Sequence, residues 1–167
     1  MSTPLIVTAL FERQEQSWFN HLRREHFPAD RNQVEAHLTL FHHLPPTVAA
    51  ELKHRLSRAT RGIRAPRAKV SGLMTLGRGV AYRIEAPALV AIRAELIDAF
   101  AGLLMPQDAG PWRPHVTIQN KVTPVLAKTL IKALERDFAP REVEIAGLAS
   151  WWYRGGPWEA HSRHMFA

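Results

Sequence analysis

The sequence predicts an α+β chain made of two related halves, and three observations carry that prediction. Short apolar or β-branched runs alternate with amphipathic stretches whose apolar residues recur at helical spacing. The pattern His-apolar-Thr-apolar occurs twice, at residues 37–40 and 115–118, a shift of 78. Around both copies the segments come in one order: strand, helix, His-x-Thr strand, helix, strand. The repeat is too long and its copy number too low for a solenoid, so it reads as an internal duplication. Two such halves about a pseudo-twofold axis would turn both His-Thr faces towards a common central cleft.

Pro4–Leu10 is a short apolar run and reads as a buried strand. Residues 12–26 follow as a helix, with Trp18, Phe19, Leu22 and His26 along it, and 27–32 form a loop. Strand 36–42 carries the first motif. Pro45-Pro46 opens a helix with the stripe Val48, Leu52, Leu56, and Gly62 stops it. Strand 67–76 turns at Gly77-Arg78-Gly79 into strand 80–86. The order then repeats. A helix from about residue 88 aligns Leu89, Ile92, Leu96, Phe100 and Leu103. A Pro- and Gly-containing loop, with Pro106, Gly110, Pro111 and Pro114, leads to the second motif strand. Thr123-Pro124 supplies an N-cap and first-turn proline for a helix striped by Leu126, Leu130 and Leu134. Strand 141–153 reaches Gly155-Gly156, and a last strand covers 158–165. At the shift of 78, Pro46 falls on Pro124, Leu52 on Leu130, Leu56 on Leu134 and Gly77 on Gly155. The expected organisation is one domain over 1–167, with lobes near 1–78 and 79–167 and strand exchange between them left open.

At 167 residues, 46% hydrophobic and 22% charged, the chain has the balance of an ordinary globular domain. It has no cysteine, which rules out disulfides and Cys-based zinc sites. Its longest N-terminal apolar run, Pro4–Phe11, is too short to span a membrane and lacks a leader's flanks. The cytoplasm is the default compartment for a chain without cysteine, and a monomer is expected. The net charge of +7 favours a polyanionic or phosphate-bearing partner without identifying one.

In a strand alternate side chains share a face, so His37, Thr39 and Phe41 point one way, and so do His115, Thr117 and Gln119. Two imidazoles flanking a phosphate ester can remove a proton from the attacking oxygen and return one to the leaving oxygen without a metal. Each Thr hydroxyl, two residues on, can donate to a non-bridging oxygen as charge builds there. One His-x-Thr is uninformative. Two in matched contexts are not.

These residues carry a resemblance. Over essentially its whole length, with "AHLTLFHHLPP" at 36–46 and "RPHVTIQNKV" at 113–122, the sequence resembles the 2H phosphoesterase superfamily and its bacterial 2′-5′ RNA ligase or cyclic phosphodiesterase-like members. The resemblance implies lobes of antiparallel sheet flanked by helices around a cleft. It also implies metal-independent catalysis without a cofactor, on 2′,3′-cyclic phosphates at RNA or nucleotide ends. His37, Thr39, His115 and Thr117 match the catalytic positions, His115 implied as activator of the nucleophile and His37 as donor to the leaving oxygen. An RNA-binding module with little turnover, or an enzyme for a small non-RNA cyclic phosphate, are the alternatives.

Further candidates for substrate contact are Phe41, Gln119, Arg113, Lys121 and Arg154, with Phe41 read either as a stacking surface or as core. Trp151-Trp152-Tyr153 could wall the cleft in part. No metal site is expected. His42 and His43 point to opposite faces, and His43 lies ~20 Å along the strand from His37 on the same face. His161 and His164 also fall on opposite faces.

Overall fold

A computed structural model describes residues 3–167. The first apolar run forms strand β1 (Leu5–Phe11), buried almost throughout because it has a neighbour on each edge. These are β2 (Leu38–Leu44) and the twelve-residue β6 (Arg141–Trp152), both antiparallel to it. β6 is long enough to serve two neighbourhoods. Its C-terminal part lies between β1 and β7 (Glu159–Met165), while Arg141–Glu144 pairs with β3 (Arg67–Thr75). β3 pairs with β4 (Val80–Glu85), and β4 with β5 (His115–Gln119). The strand order is β1-β2-β5-β4-β3-β6-β7, with β6 also returning to β1. The third strand of each half thus pairs with the first strand of the other. Between β2 and β5 the contact narrows to one bridge, Leu38 opposite Val116.

Helices α1 (Arg13–His26), α2 (Ala49–Thr60), α3 (Pro87–Ala99) and α5 (Pro124–Arg136) lie against these strands. α1, from the first half, packs on β5 of the second as well as on β1. α2 packs on β6 and β7, and α5 on β3 and β4. Local signals account for the helix starts. The Glu12 carboxylate accepts from Gln14 N, and Thr123 Oγ1 accepts from Leu126 N. Pro87 and Pro124 occupy first turns, where the missing N–H costs nothing. The loop expected after α3 contains a short helix, α4 (Pro106–Ala109), packed on β2, and Leu103 lies beyond the end of α3. The core is continuous and aromatic at its centre: Phe19 has no exposed surface and meets Phe11 and Trp18 within 5 Å between ring centroids.

Both motif strands break their alternation at the same place. Thr39 pairs with Thr8 but Phe41 with Val7, leaving Leu40 as an extra residue. Thr117 pairs with Ala81 but Gln119 with Val80, leaving Ile118 extra. Each is a β-bulge one residue beyond the threonine, so the two residues after each Thr both turn inward.

Candidate active site

The opening of β2 and β5 beside their single bridge places His37, Thr39, His115 and Thr117 along one cavity of about 370 Å³. The two imidazoles are held alike. His37 Nδ1 lies 2.8 Å from the Glu35 carbonyl and His115 Nδ1 lies 2.7 Å from the Arg113 carbonyl, each two residues upstream. A carbonyl only accepts, so each ring donates from Nδ1–H and keeps Nε2 for the cleft. The duplication therefore repeats not just two residue types but one tautomer and one orientation.

The rings differ in surroundings. The Trp158 ring packs against His37 with centroids 4.6 Å apart. Burial lowers the His37 pKa from 6.5 to about 4; nearby Arg23, His42 and His115 push the same way, against the Glu35 bond. Arg23 and Arg93 are both almost fully buried, and each helix-borne guanidinium reaches a motif strand of the opposite half. Arg23 Nη1 donates to Thr117 O at 3.0 Å, and Arg93 Nε donates to Leu40 O at 2.9 Å. Trp112 Nε1 donates to Thr39 O at 3.0 Å. These bonds satisfy carbonyls at or beside the bulges, where the ladder is disrupted.

Of the weaker substrate-contact candidates, Arg113 lines the cavity. Phe41 does not: the bulge at Leu40 turns it into the core, where it is fully buried beneath the Arg93 guanidinium. Gln119 does not line the cavity either: the bulge at Ile118 buries it and leaves its Oε1 without a hydrogen-bond partner among the described residues. Lys121 is exposed in the turn after β5, with φ 64°, and lies outside the cavity lining. Arg154 is paired with Glu159 at 2.8 Å at the β6–β7 turn, also outside it. Of the aromatic trio, Trp151 lines a neighbouring groove and donates to Thr8 Oγ1. Trp152 packs edge-on to His161, and Tyr153 is exposed.

The cavity also holds residues that alternation hides. His42, expected opposite His37, lines it because the bulge shifts the parity. Trp158, Trp112 and the buried Asp108 come from loops and short elements of the second half, whose patterns carry no period to read. Among the described residues no group of three or more His, Asp or Glu side chains is placed to hold a metal ion. No helix among them is long and apolar enough to cross a membrane.

The same architecture occurs in solved structures. TT0787 of Thermus thermophilus is similar with a TM-score of 0.68 and 14% identity, over 98% of this chain and 97% of that one. LigT of E. coli complexed with 3′-AMP is similar at 0.61 and 16% identity, over 100% and 99%. A protein described as a phosphoesterase is similar at 0.60 and 17% identity, again over 100% and 99%. No curated protein is similar enough in sequence to count as a match. The family model described as the 2′-5′ RNA ligase superfamily matches residues 11–157, which takes in both His-x-Thr strands. With that match spanning most of the sequence, the chain belongs to the 2′-5′ RNA ligase superfamily, the 2H phosphoesterases.

Proposed function

We propose that the protein hydrolyses 2′,3′-cyclic phosphodiesters at RNA or nucleotide ends, without a metal. The observation that carries this is the pair of imidazoles in one cavity, each fixed through Nδ1 so that Nε2 is left for proton transfer. With the phosphate between them, one Nε2 takes a proton from water as its oxygen bonds to phosphorus. The other gives a proton to the ribose oxygen whose bond to phosphorus breaks. Thr39 and Thr117 donate to the non-bridging oxygens.

The low pKa of His37 favours it as the base, because its neutral form is the populated one at neutral pH. His115 is then the general acid. This reverses the roles that the family resemblance implies. With a terminal 5′-hydroxyl in place of water as the attacking oxygen, and the ribose 3′-oxygen leaving protonated, the same groups would join RNA ends through a 2′-5′ bond.

The test is hydrolysis of an oligoribonucleotide with a 2′,3′-cyclic end in excess EDTA. His37→Ala and His115→Ala should each lower kcat at least ~100-fold while the wild type is untouched by EDTA. Activity confined to small cyclic nucleotides would move the substrate away from RNA. Binding without turnover would favour the module that only recognises such ends.

A further inference from the structure

The cavity contains a third imidazole that the two-histidine chemistry leaves unused. Asp108, 1% exposed on α4, receives His42 N at 2.9 and 3.0 Å, His43 N at 2.9 Å and the His42 ring Nδ1 at 3.1 Å. Burial pushes the Asp108 carboxyl up, but the ring and backbone bonds from His42 and His43 outweigh it and hold the group below its ordinary range. An ionised carboxylate at Nδ1 fixes the ring as a donor there and leaves Nε2 facing outward, where the doubly protonated ring presents an N–H that an anion can accept. The His42 side chain is 41% exposed and lines the cavity, so that nitrogen is open to a ligand.

The wall around it suits an anion. Arg113 lines the same cavity and has no carboxylate partner among the described residues. The one carboxylate in the lining, Asp108, is consumed by His42 and His43. A volume of about 370 Å³ also exceeds what a single phosphate held between His37 and His115 would fill.

We propose that His42, positioned by Asp108, binds a second phosphate of the substrate, beyond the one that reacts. The inference rests on the phosphoesterase reading above. It makes the preferred ligand a ribose unit carrying two phosphates, supplied either by the next phosphodiester of an RNA chain or by the 5′-phosphate of a nucleotide.

Calorimetric titration of the full chain tests this without turnover, using adenosine 3′-monophosphate, adenosine 3′,5′-bisphosphate and a diadenosine 3′-phosphate. The wild type should bind at least one of the two larger ligands about tenfold more tightly than the monophosphate, as one charge-assisted hydrogen bond allows. His42→Phe keeps both backbone donors to Asp108, so β2 stays tied to α4. It should erase that preference while leaving monophosphate affinity within about twofold. His42→Gln, which retains a side-chain donor, should keep part of it. A preference for the bisphosphate alone assigns the second phosphate to a free nucleotide; one for the dinucleotide assigns it to an RNA chain. The proposal is overturned if the wild type shows no preference, if His42→Phe keeps it, or if that variant weakens all ligands alike. Failure of even the monophosphate to bind would overturn the phosphoesterase reading and this proposal with it.

Discussion

Desolvation in the cleft wall, reinforced by the charges of Arg23, His42 and His115, lowers the His37 pKa to about 4 from an ordinary 6.5. That depression has a stability consequence. As pH falls through 6.5 the unfolded chain protonates this residue first, so the folded state loses ground until the pH reaches about 4. For a half-buried ring the loss should be about 1–2 kcal/mol, below the full linkage value because solvent screens part of it. Urea unfolding of wild type and His37→Gln at pH 7 and pH 4.5 isolates it: the wild type should lose about that much more than the variant between the two. Equal losses would mean that His37 titrates normally. The four motif residues are legible because type, spacing and duplication coincide in them. The environment that separates His37 from His115 is not, since Trp158 and Arg23 reach the site from elements far away in sequence.

At the scale of elements, the strands and the four long helices are readable to within a few residues from periodicity, caps and prolines, while the four-residue α4 is not. Alternation failed at one kind of position only. The bulges at Leu40 and Ile118 bury Phe41 and Gln119 and bring His42 into the cleft, and nothing in the local residue pattern marks an extra residue in a ladder. The partner strand does hold a signal, which becomes meaningful only in three dimensions. A Cβ on Gly79 would sit 2.0 Å from the Gln119 carbonyl oxygen, backbone that cannot rotate away, so the β5 bulge closes only over a glycine. Gly79→Ala should therefore destabilise the protein by about 2–4 kcal/mol and lower turnover through displacement of β5. Gly156→Ala, with open space around it and no positive φ, should change stability by less than about 0.5 kcal/mol. Denaturant midpoints for the two variants check the contrast.

The whole molecule explains why the duplication produces one site rather than two. The halves exchange strands, β3 pairing with β4 and β6 with β1, and Arg23 and Arg93 each bond a motif strand of the other half. Each His-Thr pair is thus braced by residues from across the pseudo-twofold axis, and the cleft lies where β2 and β5 touch at one bridge. The repeat of 78 residues makes the two-part architecture and its shared cleft legible, because equal patterns fold into equal units. The exchange is not legible, since a strand's own residues fix its faces but not its neighbour. Nor is the Asp108 anchor, which joins a four-residue helix to His42 on β2, 66 positions earlier.

The assignment of roles to the two histidines is tested most directly with sulfur in place of the leaving ribose oxygen, at the 2′ and 3′ positions in turn, on a 2′,3′-cyclic RNA end. A thiolate leaves without a proton, so it makes the general acid dispensable and leaves the need for a base intact. His115→Ala should regain most of its lost rate on one of the two sulfur substrates, and His37→Ala should regain none. Rescue of His37→Ala instead, or of neither variant, would contradict that assignment.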